Sequence, residues 1–429
     1  MENYIVFDSG ITTSDRIVLE DLVSDIKQFG QSRARGKNKP DGDGAATKSA
    51  LATLDELNNP KSPAFQPTVF TSKDYDQLHS GRPFRNWLLQ TYVGMAQSIV
   101  RFESDVVMLT HLLLYFTTTV PSALYLFFWH FTWLHGLAHF MMQISYMGTY
   151  TLMMHQHIHM RGILKKRFAL FDYLFPYITD PLMGHTWNSY YHHHVKHHHA
   201  EGNGPQDLSS TIYYQRDSIR HFLLYSTRFV FFVWLDLPIY FLRKNKRILA
   251  AKTAFWELSS YTVLYVAYRL NPKPTLCVFI FPLVLLRLGL MFGNWGQHAF
   301  VDEEDPSSDY RSSITLIDTA SNRHCFNDGY HTSHHLNPLR HWREHPNSFI
   351  KSKALYASQD ALVFHNIDYL MITIRLLQKD YKCLARCMIP IGERQLSMSM
   401  DERIALLKRH TRKFTREEIE VKFRRQSQR

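Results

Sequence analysis

The chain has 429 residues, of which 45% are hydrophobic, and it carries 25 histidines and a formal net charge of +11 at neutral pH. Its apolar residues concentrate between Val106 and Trp295, which favours an integral membrane protein over several soluble domains. The four cysteines show no paired spacing, which argues against a disulfide framework. Because the basic residues flank apolar segments, the charge indicates a membrane surface or an acidic partner, and no nucleic acid.

The N-terminal part of the chain is polar. Residues 1–67 are predicted to be a partly disordered region without a signal or transit peptide, because no basic stretch precedes an apolar one there. Within it, Gln31 to Thr47 has the composition of a disordered linker. Residues 68–104 are predicted to lead into the membrane.

Two apolar hairpins follow. Residues 105–154 are almost continuously apolar and suit two spans of about 20 residues each, with a turn near His130 to His135. Residues 254–293 contain two further apolar runs, divided by the turn signal Asn271–Pro274. Each hairpin is predicted to cross the membrane twice.

A third apolar segment, Ile219 to Leu242, carries Arg228 and Asp236. Such charges cost about 2.5–3.5 kcal/mol each in mid-span, so the segment is predicted to be an in-plane or partly buried helix. The predicted fold is therefore an all-α integral membrane protein with four transmembrane helices in two hairpins. A helical cap formed by residues 155–253 and 294–380 holds a di-metal site, and a basic tail, 381–429, follows.

Basic residues identify the side on which the cap lies. The two turns opposite the cap contain only Lys273 among lysines and arginines. By the positive-inside rule, the cap faces the cytosol. The basic residues on the cap side are Arg161, Lys165, Lys166, Arg167, Arg243, Lys244, Lys246 and Arg247.

Histidines cluster in the cap at helical spacing. Side chains at i, i+3 and i+4 share a helix face, so the members of each cluster can point together. The clusters are His155 and His159; His194, His197 and His198; Asn294 and His298; and His331, His334 and His335. Nine imidazoles exceed the four ligands of one zinc ion, so two metal ions fit better, although imidazole alone does not select iron. The clusters are expected to converge on one site.

Residues from about Thr149 to Asn337 resemble the membrane fatty-acid desaturase superfamily, whose HxxxH, HxxHH and HxxHH boxes are separated by hydrophobic hairpins. The Asn294 to His298 pair is similar to the NxxxH element of the stearoyl-CoA desaturase branch. The resemblance implies two iron ions in a cytosolic cap, with Asn294 acting through a bound water. The implied histidine ligands are His155, His159, His194, His197, His198, His298, His331, His334 and His335.

The chain departs from that branch in two places. His157 lies inside the first box, and extra histidines occupy positions 192, 193 and 199. The first departure leaves the ligands of the first box open, and the second leaves open a register that uses His193 with His197.

The resemblance implies an O2-dependent desaturase that introduces a C=C bond into an acyl-lipid or acyl-CoA. An unactivated methylene has no acidic proton, so a metal cofactor must oxidise it. The same centre could hydroxylate a fatty acid, sphingolipid or sterol, or act as an acetylenase or epoxidase on an unsaturated substrate. A histidine-rich metal transporter is the alternative of another class, but transporters place ligands in mid-membrane, whereas these clusters lie at or beyond the span ends.

An external electron donor is expected, because the chain has no His-Pro-Gly-Gly haem motif and no cysteine set for an iron–sulfur cluster. The resemblance implies cytochrome b5 in the endoplasmic reticulum, the expected location, or a ferredoxin in a plastid or bacterium. Residues 401–429 could contact the donor or the lipid through Ile404, Leu406, Leu407 and Phe414.

Three further sets of residues carry weaker expectations. Asp328 and Glu201 are candidate carboxylates for orienting the imidazoles. Aromatic residues near the clusters are candidate tunnel liners or core residues: Trp187, Tyr190, Tyr191 and Trp295. Ordinary surface roles are expected for four other histidines: His185, His324, His341 and His345.

Overall fold

The computed structural model describes residues 5, 7–35, 44–71 and 73–423. It divides the chain into two compact units, each formed by segments that are separate in the sequence. Unit 1 comprises Met1–Phe65, Glu201–Tyr225 and Phe292–Arg429, and unit 2 comprises Gln66–Ala200 and Ser226–Met291. The predicted cap segment 155–253 therefore contributes residues to both units.

Unit 1 combines many short helices with one small sheet. Its longer helices are Thr13–Ala34, Ala45–Asn58, His345–Ser358, Tyr369–Leu377 and Met400–His410. Its shorter helices are Asp309–Ser312, Ala320–His324, His331–Leu336, Trp342–Glu344, Tyr381–Cys387, Gly392–Ser397 and Arg416–Lys422. The strand Leu362–His365 lies between Ile314–Ile317, to which it is parallel, and Met388–Ile389, to which it is antiparallel.

The small sheet forms the core of unit 1. Every residue of Ile314–Ile317 and Leu362–His365 is buried, as expected of strands covered on both faces. Ile317 and Val363 pack against Phe349 and Tyr330, and the N-terminal helices contribute Val18 and Leu54 to the same cluster. These strands, and a two-stranded pair in unit 2, are departures from the all-α prediction.

The N-terminal region predicted to be partly disordered is helical over most of its length. Gln31 to Ala34 and Ala45 to Thr47, at the two ends of the predicted linker, belong to helices, and its residues 36–43 lie outside the described residues. The first helix begins where the Thr12 hydroxyl accepts a hydrogen bond from the Asp15 N–H.

The C-terminal tail is also folded, as far as residue 423. Ser399 with Glu402, and Thr415 with Glu418, form capping boxes that start two helices. Leu406 and Leu407 are buried, and Phe414 packs in a cluster with Ile212, Val301, Ile419 and Phe423. Three of the four apolar side chains that the sequence offered for lipid or partner contact thus lie in the interior of unit 1, and Ile404 is partly exposed.

Unit 2 contains the long helices. They are Pro83–Ile99, Val106–Phe128, Trp133–Met160 and Arg247–Leu270. Shorter elements are the strands Thr68–Phe70 and Lys73–Asp74, the helices Asp76–Leu78, Lys166–Tyr173, Asp180–Leu182 and Pro272–Thr275, and the π-helices Phe175–Thr179, Tyr191–His198 and Leu276–Ile280. Three helices contain the unit boundaries: His199–Glu201, Ile219–Arg243 and Phe281–Gln297.

Both predicted hairpins are pairs of helices. The first turns between Phe128 and Trp133, and the second turns at Asn271, where the helix Arg247–Leu270 ends and Pro272 starts the next helix. Large apolar side chains on these helices are exposed, including Leu124, Val263 and Leu270. Exposed apolar faces of this extent are typical of lipid contact.

Among the described residues, three helical segments are long and apolar enough to cross a membrane: Val106–Phe128, Ile219–Arg243 and Pro272–Gln297. Trp133–Met160 and Arg247–Leu270 are not among these three, so the count of four spans stays a prediction. The sequence predicts an in-plane or partly buried helix for Ile219 to Leu242 because of Arg228 and Asp236. Those two side chains form an ion pair of 3.2 Å, which reduces the cost of placing the segment in lipid.

A buried acid contacts the second helix of the first hairpin. Asp180 is fully buried, and the hydroxyl of Tyr150 donates a 2.5 Å hydrogen bond to its Oδ1. Burial raises the pKa of Asp180 to about 8, although the hydrogen bond from Tyr150 acts in the opposite direction. The carboxyl is therefore mostly protonated at neutral pH.

This protonation predicts a pH dependence of stability. The unfolded chain loses the Asp180 proton near pH 3.8, whereas the folded protein keeps it up to about pH 8. Between these values the free energy of unfolding should fall as pH rises, by up to about 1.4 kcal/mol per pH unit from this group. Asp180→Asn should remove that slope and the exposed control Asp76→Asn should keep it, in unfolding measurements on detergent-solubilised protein. An unchanged slope in Asp180→Asn contradicts the assignment.

Candidate metal centre

Four histidines of unit 2 bring their ring nitrogens together, and we call them the first histidine group. His155 and His159 lie one turn apart at the end of the helix Trp133–Met160, and His194 and His199 come from the histidine run. One nitrogen from each ring lies within 4.8 Å of the others. His194 Nε2 is 2.8 Å from His155 Nε2 and 3.0 Å from His199 Nε2.

The histidine run joins this group through a π-helix, Tyr191–His198. In a π-helix the hydrogen bonds run from i to i+5, so side chains five positions apart come to the same face. The N–H of His199 accordingly bonds the carbonyl of His194, and the two rings lie 4.6 Å apart. His199, which the sequence pattern treated as one of the extra histidines, is thus a candidate ligand.

The other two predicted ligands of the second box lie beside the first histidine group. His198 is buried, and its ring stacks on that of His194 at 5.5 Å. His197 is fully buried against Tyr240, and its ring lies 5.4 Å from that of His193. The structure therefore does bring His193 and His197 together, the alternative register that the sequence left open.

A buried carboxylate anchors the segment before the run. Glu257 accepts hydrogen bonds from the hydroxyls of Thr186, at 2.6 Å, and Ser189. Arg287 pairs with the same carboxylate at 2.9 Å, which compensates its charge. These contacts fix the segment that leads into the π-helix.

Three histidines of unit 1 form the second histidine group: His298, His331 and His335. One nitrogen from each lies within 4.8 Å of the others, and the Nε2 atoms of His298 and His331 are 3.3 Å apart. His331 and His335 are one turn apart on the helix His331–Leu336. His298 follows the helix Phe281–Gln297 and is fully buried.

Two oxygen acceptors face the rings of the second histidine group. His298 Nδ1 lies 2.7 Å from the carbonyl oxygen of Ser312, so the ring proton is placed there and Nε2 keeps its lone pair. His335 Nδ1 lies 3.6 Å from the carboxylate of Asp309. Such acceptors orient metal-binding imidazoles, and neither was visible in the sequence, because only folding brings residues 309–312 to the histidines.

The remaining predicted ligands of unit 1 adjoin the second histidine group. The His334 ring lies 6.1 Å from that of His331 and 6.2 Å from that of His335. The Asn294 amide nitrogen donates to the carbonyl of Ser209 and to the Tyr225 hydroxyl, at 2.8 and 2.6 Å. These bonds orient the amide, and the roles of His334 and Asn294 as ligands stay predictions.

Both histidine groups suit a bound metal ion. Metal–nitrogen bonds of about 2.0–2.1 Å require ligand nitrogens a few ångströms apart, as they are here. Burial lowers the pKa of His194 far below its ordinary value, and the neighbouring histidines lower it further. A neutral ring offers the lone pair that a metal requires, and imidazole suits iron, zinc and copper.

The structure also shows the surroundings of residues for which the sequence supports weaker expectations. Asp328 is partly buried and accepts a hydrogen bond from Gln297 at 3.4 Å, and desolvation raises its pKa to about 7. The predicted surface roles of His185, His341 and His345 are wrong, because all three are buried. Trp295 packs in the core of unit 1, where its indole N–H donates to the carbonyl of Arg216.

A largely apolar cavity of about 260 Å³ lies in unit 2. Its lining includes His185, Trp187, Val263, Leu264 and Ala267. The ring of Tyr190 lies 5.2 Å from that of His185 and 5.2 Å from that of His194. Tyr190 therefore connects the lining of the cavity to the first histidine group, because its ring contacts both His185 and His194.

The π-helical pairing predicts that His199 binds metal. Purified His199→Ala should bind Fe²⁺ or Co²⁺ at the first histidine group at least about tenfold more weakly than the unsubstituted chain. His192→Ala, a buried neighbour in the same run, is the matched control and should bind normally. Metal titration with elemental analysis measures both, and full metal content in His199→Ala would remove it from the ligand set.

Comparison with known proteins agrees with the geometry. No curated protein and no solved structure gave a significant match. The family model described as fatty acid desaturase matches residues 131–366, which include both histidine groups. The family implies an oxidoreductase with a lipid substrate, and the three apolar helices indicate a membrane protein. Because the match covers more than half of the chain, the chain belongs to the fatty acid desaturase family.

Proposed function

We propose that this chain is a membrane desaturase that introduces a C=C bond into the acyl chain of a lipid or of acyl-CoA. The observation that carries the proposal is the pair of buried histidine groups, each with ring nitrogens within 4.8 Å of one another. Each group would hold one iron ion. Two bound irons would supply O2-dependent oxidation of an unactivated methylene, which no side chain can perform.

The protein's own residues would prepare each group for its ion. The Ser312 carbonyl orients the His298 ring through a hydrogen bond, and the Asp309 carboxylate lies near the Nδ1 atom of His335. Burial of these rings excludes bulk water, which protects a reactive centre from side reactions. The ligand assignments of His197, His198, His334 and Asn294 belong to the same proposal.

The cavity of unit 2 is the proposed site for part of the acyl chain. Its walls are mostly apolar, and Tyr190 links it to His194 of the first histidine group. An apolar cavity beside an oxidising centre suits a hydrocarbon chain, because burial of methylenes provides binding energy of about 0.8 kcal/mol each. Trp187, a predicted tunnel liner, lies in this wall.

The electron donor and the location are also part of the proposal. An external donor, cytochrome b5 or a ferredoxin, would deliver the electrons. The basic residues at 161–167 and 243–247 would face the cytosol and suit a donor with an acidic surface. The endoplasmic reticulum is the proposed membrane.

The central experiment is lipid analysis of a yeast-like host. Expression of the full chain should create an unsaturated fatty acid that is two hydrogens lighter than its precursor. His335→Ala should abolish the product, because it removes a ligand of the second histidine group. A product heavier by one oxygen would identify the hydroxylase alternative, and no new product with iron and donor present would overturn the proposal.

The cavity predicts control of acyl chain length. Ala267→Phe should fill part of the cavity and reduce activity on the longest accepted chains by about tenfold or more, as steric rejection in a close-fitting pocket does. Val266→Phe, at an exposed position on the same helix, is the matched control and should behave as the unsubstituted chain. Membranes supplied with saturated acyl chains of increasing length provide the measurement. Equal length profiles for the two variants would place the acyl chain elsewhere.

A further inference from the structure

A buried carboxylate in the N-terminal helix contacts the segment that carries the third histidine box. Asp15 lies in the helix Thr13–Ala34 and is fully buried. This helix precedes residues 131–366, the part of the chain matched by the family model. The family match therefore assigns it no role.

Asp15 accepts three hydrogen bonds from this segment. The Tyr330 hydroxyl donates to Oδ1 at 2.6 Å. The Asn322 amide and the Asp318 N–H donate to Oδ2 at 3.1 and 3.2 Å. All three donors belong to residues 318–330, which end immediately before His331.

Tyr330 connects this carboxylate to the second histidine group. It is the residue before the helix His331–Leu336, and its carbonyl accepts the N–H of His334 at 3.0 Å. The position of Tyr330 therefore sets where that helix begins. Two ligand candidates of the second histidine group, His331 and His335, lie on it.

Asn322 forms hydrogen bonds with the backbone on both sides of the segment. Its amide donates to the Leu316 carbonyl at 2.9 Å, and its Oδ1 accepts the Gly329 N–H at 2.9 Å. A Cβ on Gly329 would lie 2.3 Å from Asn322 Oδ1, so the chain passes too closely for any side chain. Asp15 thus binds the two residues, Asn322 and Tyr330, that fix this path.

We propose that Asp15 is a positioning residue for the second histidine group, acting through Tyr330 and Asn322. This inference rests on the proposed function, because it assumes that the group binds a metal ion. Burying a carboxylate opposes folding unless hydrogen bonds compensate its desolvation, and here all the compensating donors cited lie in the segment before the histidines. The carboxylate therefore couples the docking of the N-terminal helix to the geometry of the metal ligands.

The test compares two buried carboxylates of the same helix. Asp21 is the matched control, since it is also buried but accepts hydrogen bonds from Lys353 and Thr47. In Asp15→Asn, an NH2 group replaces one of the two accepting oxygens, so at least one of the three hydrogen bonds is lost or reversed. The expected result is about tenfold weaker Fe²⁺ or Co²⁺ binding at one of the two sites, the size found for partners of metal ligands, with Asp21→Asn unchanged. Thermal unfolding of the metal-free proteins should show that the two variants lose comparable stability.

Tyr330→Phe provides a second, independent readout. If Asp15 acts through the tyrosine hydroxyl, Tyr330→Phe should weaken the same site, and the double variant with Asp15→Asn should be no weaker than the more affected single variant. Normal affinity in Asp15→Asn, or an equal loss in Asp21→Asn, would overturn the inference. Co²⁺ titration keeps this outcome separate from failure of the proposed function, which would show as absence of metal binding or of desaturation in the unsubstituted chain.

Discussion

The structure depends on packing imidazole rings together in their neutral form. Seven rings form the two histidine groups, and protonating any one of them would place a buried positive charge among its neighbours. Burial and mutual repulsion both lower the pKa of His194. The same burial that makes His194 a poor base keeps its ring neutral, so its lone pair is available to a metal ion.

Lone pairs are useful only if the rings are held in the right orientation, and each unit provides such support with its own contacts. In unit 1 the Ser312 carbonyl and Asp309 face the outer nitrogens of two rings. In unit 2 Glu257 anchors the segment that leads into the histidine run. The donors and acceptors of these contacts come from distant parts of the chain, so the metal groups depend on the complete fold of each unit.

The sequence predicts the site best where the histidines lie on ordinary α-helices. The i, i+4 spacing correctly placed His155 with His159 and His331 with His335, because 3.6 residues per turn bring those positions to one face. The spacing did not group His199 with His194, because the winding of the histidine run depends on hydrogen bonds that the spacing does not encode. Ser312 and Asp309 reach the histidines only when the chain folds, so no local sequence pattern identifies them as acceptors.

In the fold, too, the features with a local sequence signal were predicted, and those that depend on tertiary structure were not. The apolar hairpins and the Asn271 turn were readable from composition and proline placement. The helices of the tail have a local signal in the capping boxes at Ser399 and Thr415, but the sequence assigned the apolar side chains of the tail to donor or lipid contact. The strand Leu362–His365 pairs with residues about fifty positions earlier, and such non-local pairing has no periodic signature in a stretch of four residues.

The histidine run can tolerate a change in its helical winding. In an α-helix His194 would share a face with His198, at i+4, and in the observed winding it shares one with His199, at i+5. A histidine therefore stands at the position required by either winding. A change of this turn from π to α winding would therefore replace His199 by its neighbour His198 and still leave His194 with a histidine partner on the same face.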